Sequence, residues 1–354
     1  MTFSTVFNNY FIPKQITDLV QSTEKEQESY SIRRGDVFVT RTSETSDELG
    51  MSCVALKDYP MATYNGFTKR MRPITNRVFP EYIGYYMRLP SFRGEFRAFS
   101  TMTTRASLRN EDLLGLEVKL PSIEIQKKIA DILSAYDDLI ENNQKQIKLL
   151  EEAAQRFYKE WFVDLRFPGH ENTKIVDGVP EGWIKEEIGK IIKKVHRTKQ
   201  IVASEYRDEG SIPIVDQSRA FVAGYTNDLE ARVDFGIPII VFGDHTRIVK
   251  LIQFPFAKGA DGTQLIISDC LEMPQRLLYC SIMNVDLSNY HYARHFKYLK
   301  EEKIMIPTVK VANEFENNVT GIFSKIQNCR DEIIRCQKTR NLLLPKLMSG
   351  EVEV

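Results

Sequence analysis

The feature that most constrains the fold is a long helical repeat over residues 120–162. Apolar residues recur there in alternating steps of three and four, which places them along one narrow face of an α-helix. No glycine or proline interrupts residues 122–167, so the pattern predicts one continuous helix. A face this narrow is buried only against another helix of similar length. The predicted seam of this helix consists of Ile125, Ile129, Tyr136, Ile140, Ile147, Leu150, Phe157 and Trp161.

A second run with the same spacing follows Pro307. Each of its seam positions lies 186 residues after its counterpart in the first run (311 − 125 = 186), as Pro307 does after Pro121. One constant offset without a gap indicates an internal duplication. Asn143, Asn318 and Arg340 interrupt the seams with polar groups, which is typical of positions that fix helix register. The second seam consists of Val311, Phe315, Ile322, Ile326, Ile333, Leu343 and Leu347.

The length and the cysteine content bound the class of protein. A chain of 354 residues is long enough for two ordinary domains with sizeable cores. Its five cysteines are an odd number without a Cys-x-x-Cys pair, which favours free thiols in a reducing cytosol. The sequence contains neither a signal peptide nor an apolar run of membrane-spanning length. We therefore expect a cytoplasmic protein without a membrane partner.

The net charge of zero hides an uneven distribution of basic residues. Residues 57–109 contain ten lysines and arginines against three acidic residues, a surplus of seven (10 − 3 = 7). A shorter basic run occupies residues 190–199. Such local surpluses suit a polyanionic partner. For any single arginine, a solvated or ion-paired surface position is the better interpretation, whereas the cluster as a whole favours a polyanionic partner.

Short β-rich runs separated by turn residues fill most of the chain outside the two helices. The sequence therefore predicts an α+β fold in which two mixed, β-rich domains alternate with two long antiparallel helices in a pseudo-two-fold repeat. The predicted boundaries are 1–119 for the first domain, 120–165 for the first helix, 166–179 for a linker, 180–306 for the second domain, and 307–350 for the second helix with its tail.

Several short motifs carry a resemblance to a known family. They are GDVFVTR (35–41), YNGFT (64–68), LPSIEIQKKIA (120–130), EWFVD (160–164), VPEGW (179–183) and LLPKLMSG (343–350). In this combination the chain resembles the specificity subunits of type I restriction-modification systems over nearly its whole length. The resemblance implies two target recognition domains, each reading one half of a split site in double-stranded DNA. It also implies that the helix pair is both a spacer and a docking surface.

The resemblance further implies the partners and the cofactors. Two modification (methyltransferase) subunits would dock on the helix pair, and restriction (motor-nuclease) subunits would join through them. S-adenosylmethionine, ATP and Mg²⁺ would bind to those partners, and this chain would bind no cofactor. Two readers held by a rigid helix pair can contact half-sites that repeat about every 34 Å along DNA.

Loop position and side-chain chemistry select candidate DNA contacts, since lysine and arginine bind phosphates and polar side chains read base edges. We predict neither catalytic residues nor a metal site. In the first half the candidates are Arg41, Thr42, Lys69, Arg70, Arg72, Thr104, Arg105 and Arg109. In the second half they are Lys193, Arg197, Lys199, Arg219, His245, Arg247, Lys258, Arg294 and His295, with Gln217, Ser218, Asp244 and Thr246 in the same loops.

Two departures from the family pattern bear on partners. A segment like VPEGW (179–183) is expected ahead of each recognition domain, but none precedes the first, so we expect the first domain to lack its opening elements. This leaves open whether one chain holds both half-site readers or a self-dimer supplies them. In the second helix Ala312 stands in the place of Gln126, so we expect that end to bind a partner differently.

Other function classes fit the sequence less well. The Asn/Asp-Pro-Pro-Tyr/Phe motif of adenine methyltransferases, a glycine-rich cofactor loop and a GxxxxGK[ST] phosphate loop are all absent from the sequence. This disfavours an autonomous methyltransferase or nuclease. A coiled-coil scaffold whose flanking domains bind protein remains the alternative, and the arginine surplus argues against it.

Overall fold

The computed structural model describes residues 1–43, 48–98, 101–102, 106–196, 198–290 and 294–354. Over these residues the chain divides into two compact units. Unit 1 comprises Met1–Asn142 with Glu332–Val354, and unit 2 comprises Asn143–Asp331. The divisions fall inside the two long helices rather than at their ends, so each long helix contributes one segment to each unit.

The helices within the described ranges are, in chain order, α1 (Phe3–Asn8), α2 (Glu24–Ser29), α3 (Pro80–Tyr86), α4 (Pro90–Ala98), α5 (Asn110–Leu114), α6 (Ile123–Tyr158), α7 (Gln275–Met283), α8 (His295–Glu301) and α9 (Val309–Ser349). The strands are β1 (Val37–Thr40), β2 (Thr42–Ser43), β3 (Ser52–Val54), β4 (Thr68–Met71), β5 (Thr101–Met102), β6 (Ala106–Ser107), β7 (Ile175–Val176), β8 (Val179–Pro180), β9 (Ile184–Glu187), β10 (Ile212–Val215), β11 (Gly224–Thr226), β12 (Arg232–Val233), β13 (Ile239–Gly243), β14 (Val249–Ile252), β15 (Phe256–Lys258), β16 (Thr263–Ile266) and β17 (Lys303–Ile306). None of these helices is apolar over enough residues to cross a membrane. The predicted α+β fold with two long helices is confirmed.

The internal duplication is visible in the long helices. Helix α6 begins at Ile123 and α9 at Val309, an offset of 186 residues (309 − 123 = 186). Helix α6 passes into a π-helical turn at Lys159, and Pro345 occupies the position 186 residues later inside α9. Proline has no amide hydrogen to donate, so both helices depart from regular α-helical bonding at the same register.

Within unit 2, the two long-helix segments run antiparallel. The rings of Phe157 and Phe315 stack with centroids 5.4 Å apart, while Arg330 donates a hydrogen bond of 2.7 Å to Glu151. Later residues of α6 therefore face earlier residues of α9. The same segments pack on the sheets of the unit through a core that includes Phe315, Ile240 and Ile266.

Within unit 1, the long-helix segments share a core with α3 and the β1 sheet. Leu133 of α6 and Leu344 of α9 pack there with Tyr85. The Tyr85 hydroxyl donates a hydrogen bond of 2.6 Å to Asp137, and the guanidinium of Arg340 pairs with the same carboxylate. Arg340, a polar interruption of the predicted seam, therefore has an acidic partner on the other helix.

The buried face of each long helix is wider than the predicted seam. Ile125, predicted on the seam, is exposed, with 39% of its surface accessible. The helices also bury flanking positions against the sheets. The buried face of each helix is therefore wider than the narrow seam of a two-helix coiled coil. Of the other predicted positions, Ile129, Ile140, Trp161, Val311, Phe315, Ile326 and Leu347 are buried, and Tyr136, Ile147, Leu150, Phe157, Ile322, Ile333 and Leu343 are half-buried. Buried residues outside the prediction include Gln126, Ala130, Leu133, Tyr158, Ala312, Val319, Phe323 and Leu344.

A polar side chain from each long helix caps the short helix that packs on it. In unit 1, the Gln126 side-chain carbonyl accepts a hydrogen bond of 2.9 Å from the amide of Phe79, the residue before α3. In unit 2, Glu316 accepts from the amide of Leu277 in the first turn of α7 at 3.2 Å. Both side chains satisfy amides that a helix start leaves unpaired.

The sheets are small and mostly antiparallel. Unit 1 contains the orders β3-β1-β4 and β2-β6-β5, and the central strand β1 is buried at every position. Unit 2 contains β11-β10-β15-β12, β14-β13-β16, β17-β9 and β7-β8. Strands β10 and β15 pair in parallel, whereas β13 pairs antiparallel with both of its neighbours. Loops of the β10–β15 sheet and of the β13 sheet form the candidate site of unit 2.

Candidate nucleic-acid interface

Unit 2 contains a cleft of about 400 Å³ whose wall is rich in basic side chains. We call it the basic cleft. Its basic residues are Lys193, Lys194, His196, Lys258 and Lys300, and Thr198, Gln264 and Phe296 add polar and aromatic surface. The combination of several cations with an aromatic ring suits a phosphodiester backbone.

Three separate elements supply the lysines of the basic cleft. The segment that carries Lys193 and Lys194 is held beside the end of β16, because the Lys193 amide donates to the Ile267 carbonyl at 2.8 Å. Lys258 is the last residue of β15, and Lys300 lies on α8. An ideal Cβ on Gly189 would lie 3.0 Å from the Lys300 carbonyl oxygen, so the absence of a side chain there lets α8 come close.

The electrostatics of the basic cleft favour an anion. Lys193 lies 3.7 Å from the Asp269 carboxylate, and both groups are more than half exposed. Within the described ranges, Lys194, Lys258 and Lys300 have no ion-pair partner within 4.0 Å. Burial lowers the pKa of Lys258, and the nearby Asp261 opposes that shift. Unpaired cations in a partly desolvated cleft attract phosphate more strongly than cations in open water.

Three loops of unit 2 meet next to the basic cleft. We call residues 216–219, 243–248 and 259–262 together the recognition tip. The Gln217 amide nitrogen donates to the Asp261 carbonyl at 2.8 Å, and its side-chain oxygen accepts from the His245 amide at 3.1 Å. The third loop follows Lys258 directly, so the recognition tip adjoins the basic cleft at that residue.

The structure brings most of the predicted second-half loops together at this tip. Arg219, His245 and Arg294 are exposed there or at the adjoining start of α8. Arg247 is half-buried, has a positive φ of 60°, and donates to the Tyr290 carbonyl at 3.2 Å. Arg197 lies outside the described residues. The DNA contacts of these residues remain predictions.

Two further second-half candidates have polar partners within unit 2. His295 is buried, and its ring nitrogens lie 2.9 Å from the Asp244 carbonyl and 3.0 Å from the Tyr290 carbonyl. It joins the recognition tip to α8 and cannot reach a base edge from that position. Lys199 is exposed and lies 2.7 Å from Asp228 and 3.0 Å from Glu230. The internal contacts of His295 disfavour its predicted DNA contact, whereas that of Lys199 stays a prediction.

In unit 1 several candidates are also held by internal partners. The Arg72 guanidinium makes two hydrogen bonds of 2.6 Å to the fully buried carboxylate of Asp36, which raises the pKa of Arg72. Arg70 donates to the Ser31 carbonyl at 2.6 Å, and Arg109 pairs with Asp112 at 3.2 Å. Arg70, Arg72 and Arg109 therefore have partners within unit 1, and their DNA contacts stay predictions.

A smaller basic group remains available in unit 1. Arg41 is exposed, and Thr42 lies in β2 beside it. Lys69 donates to the Leu108 carbonyl and to Asn110, each at 2.7 Å. Burial and, secondarily, the nearby Arg41 guanidinium lower the pKa of Lys69. Thr104 and Arg105 lie outside the described residues.

Comparison with known proteins shows which proteins this chain is similar to. Residues 4–152 match the family model described as the type I restriction modification DNA specificity domain. The MjaIX specificity subunit of Methanocaldococcus jannaschii is 29% identical over 94% of this chain and 82% of its own length. Over most of its length the chain is therefore similar to type I specificity subunits.

Other specificity subunits are similar to this chain over shorter spans or in fold alone. The EcoR124I/EcoR124II specificity subunit of Escherichia coli is 31% identical over 27% of this chain and 24% of its own length. The crystal structure of a type I S subunit from M. genitalium superposes with a TM-score of 0.55 at 15% identity, and covers 96% of this chain and 88% of that one. That similarity shows a shared fold.

Sequence reasoning missed several residues of the candidate site. Lys194 belongs to the basic run at residues 190–199, where no pattern distinguishes it from its neighbours, and Lys300 lies in a helix without a distinguishing pattern. Gln217 was considered as a base reader, whereas its amide bonds to neighbouring loops. Across the described residues, no group of three or more His, Cys, Asp or Glu side chains is placed to hold a metal ion.

Proposed function

We propose that this chain selects the DNA site of a type I restriction-modification complex, and that the basic cleft and the recognition tip of unit 2 bind one half-site. The observation that supports this most directly is their adjacency. Lysines that suit phosphate lie beside loops that expose Arg219 and His245. Phosphate contacts would fix register, and the loop side chains would read base edges.

Unit 1 would read the other half of a bipartite site. Its exposed Arg41, with Thr42 beside it, would contact bases or phosphates, and Lys69 would add positive potential. Two readers and the duplicated helices agree with a split recognition sequence. If the first domain reads no DNA, a second copy of the chain would supply the missing reader in a self-dimer.

The helices would recruit the catalytic partners. In unit 1 the long-helix segments expose Leu139, Ile334 and Leu342, with accessible fractions of 44%, 43% and 58%. Exposed apolar residues of this kind favour a protein partner. We propose that two modification subunits dock on the outer helix faces, that restriction subunits join through them, and that S-adenosylmethionine, ATP and Mg²⁺ bind to these partners. The free cysteines fit a reducing compartment, so the proposed location is the cytoplasm.

The salt dependence of duplex binding tests DNA recognition. The purified chain, with its modification subunits, would be titrated with duplex DNA at several salt concentrations. We expect log affinity to fall linearly with log salt, with a slope of about −0.9 for each phosphate neutralised. Affinity that does not change with salt would contradict the proposal and favour a protein-binding scaffold.

Mapping of methylated bases tests the bipartite site. Cells would carry this chain with its modification subunits, and control cells would carry the modification subunits alone. We expect methylation at a split motif with a fixed spacer only when the chain is present. Methyl transfer by the purified chain alone would overturn its assignment as a non-catalytic subunit.

A further inference from the structure

We infer that Gln217 is a positioning residue that clamps the three loops of the recognition tip and thereby sets the base preference of unit 2. This inference rests on the proposed function. A glutamine in a DNA-binding loop is normally expected to bond to adenine through its side-chain amide. In this structure the amide bonds to protein groups instead.

The contacts of Gln217 reach both neighbouring loops. Its amide nitrogen donates to the Asp261 carbonyl at 2.8 Å, and its amide oxygen accepts from the His245 amide at 3.1 Å. Its main-chain carbonyl accepts from the Thr246 hydroxyl at 2.7 Å. One residue therefore provides hydrogen-bond links to the loops at 243–248 and 259–262.

Both neighbouring loops pack closely against Gln217. An ideal Cβ on Gly243 would lie 2.9 Å from the Gln217 Cβ, and one on Gly262 would lie 2.7 Å from the Gln217 amide nitrogen. Gly262 also has a φ of 84°, which other residues rarely adopt. Both neighbouring loops thus place a glycine against the Gln217 side chain.

The loop that carries Gln217 is also held at its base by Lys250. The Lys250 side chain is only 4% exposed, and its ammonium donates to the carbonyls of Asp216 and Ala220, which flank the tip of this loop. The loop is therefore fixed at its base by Lys250 and joined to its neighbours by Gln217. Such double support is what holds a recognition group in a defined geometry.

Loss of the Gln217 hydrogen bonds should affect sequence specificity more than affinity. With the Gln217 amide occupied, exposed side chains of the tip, among them Arg219 and His245, are left to reach bases. Their positions depend on the loops that Gln217 joins. The phosphate contacts would come from the basic cleft, whose lysines Gln217 does not touch in any described contact. Loss of the clamp should therefore reduce discrimination between sequences while most of the affinity remains.

The test compares Gln217→Ala with wild type in the complete complex with modification subunits. The preferred duplex is first selected from a random-sequence library by the wild-type complex, and a shuffled duplex is the reference. We expect Gln217→Ala to reduce the affinity ratio of selected to shuffled duplex by about 5- to 150-fold, the range for one lost base preference. Affinity for the shuffled duplex should change by less than about twofold. Hydrogen exchange of peptides containing the His245 amide should accelerate.

Gln253→Ala is the matched control. The Gln253 amide also donates to a backbone carbonyl, that of Phe323 at 2.8 Å, but it lies at the opposite end of β14 from the recognition tip. We expect this variant to keep the wild-type affinity ratio. Gln217→Glu serves if Gln217→Ala does not fold, since it keeps the acceptor for the His245 amide and loses the donor to Asp261. It should reduce the ratio by a smaller factor.

The outcomes separate the two proposals. A wild-type complex that binds all duplexes equally would overturn the proposed function together with this inference. A wild-type complex that discriminates, with Gln217→Ala discriminating equally well, would overturn the inference alone. Equal losses of the ratio in Gln217→Ala and Gln253→Ala would show a general structural effect and would also overturn it.

Discussion

The Arg330 guanidinium donates a hydrogen bond of 2.7 Å to the Glu151 carboxylate, and so joins α9 to α6 within unit 2. The same guanidinium lies 3.7 Å from the centroid of the Phe221 ring. Phe221 follows the first loop of the recognition tip, residues 216–219. Burial raises the pKa of Glu151 and lowers that of Arg330, and for each group the attraction of the other opposes the shift. Desolvation therefore outweighs the attraction at both ends of this pair.

Arg330→Met should destabilise the chain more at pH 8 than at pH 5. Without Arg330, the pKa of Glu151 in the folded state rises further above the ordinary value of 4.5. Between these two pKa values the folded state holds a proton on Glu151 and the unfolded state does not. Stability then falls as pH rises through the folded pKa. Since the Glu151 side chain is 41% exposed, we expect a loss of roughly 1–3 kcal/mol at pH 8, below the fully buried case. Urea unfolding at both pH values measures it. Adding Glu151→Gln should remove the pH dependence, and its persistence would contradict this account.

Lys194→Gln and Lys258→Gln should weaken duplex binding by similar factors for every DNA sequence. Each variant removes one phosphate-neutralising charge from the basic cleft, so the slope of log affinity against log salt should become shallower by about 1. Titrations of the complex with selected and shuffled duplexes measure both effects. Lys185→Gln removes an exposed lysine of β9 outside the cleft and is the control. An equal loss in all three variants would point to a general charge effect rather than to the basic cleft.

Lys250→Met should change how stability depends on pH above neutrality. Burial lowers the pKa of Lys250 to about 8 from an ordinary value of 10.5, and Asp216 opposes that shift. Between these values the unfolded state binds the proton more tightly, so this group makes the wild-type chain more stable as pH rises. The difference in unfolding free energy, wild type minus Lys250→Met, should increase by up to about 3 kcal/mol over that interval. Urea unfolding from pH 7 to 10 measures it, and a constant difference would refute the expectation.

Gln126→Ala should destabilise unit 1. The substitution leaves the Phe79 amide and the Arg77 carbonyl without the side-chain amide that bonds to both at 2.9 Å. Polar groups that lose a partner in a largely buried site cost about 1–3 kcal/mol. Gln144→Ala, an exposed position on the same helix, should change stability by less than about 0.5 kcal/mol. Equal stability of the two variants in urea unfolding would show that the Gln126 contacts contribute nothing.

The Gln126 contacts also explain a sequence difference between the duplicated helices. The equivalent position in α9 is Ala312, and the short helix α7 is capped by Glu316 one turn further along. The sequence showed that the two helices differ there and led to the expectation of a different partner. The structure shows that each half caps its short helix with a different residue, which accounts for the difference within the chain.

The sequence by itself determined the helical architecture. Helix periodicity is a local property, so the seam spacing and the constant offset of 186 located both long helices, whose observed starts at Ile123 and Val309 keep that offset. The seam was predicted too narrow, as exposed Ile125 shows, because the packing of each helix on the sheets depends on strands far away in sequence.

Only the tertiary structure decided which polar residues are available to a partner. Arg72 binds Asp36, and Gln217 binds Asp261, across separations of 36 and 44 residues. A composition count treats these side chains as equivalent to exposed Arg219 or Lys194. Whether a charge is compensated depends on distances of a few ångströms between segments remote in the chain. Folding sets those distances, and the spacing of residues along the sequence does not record them.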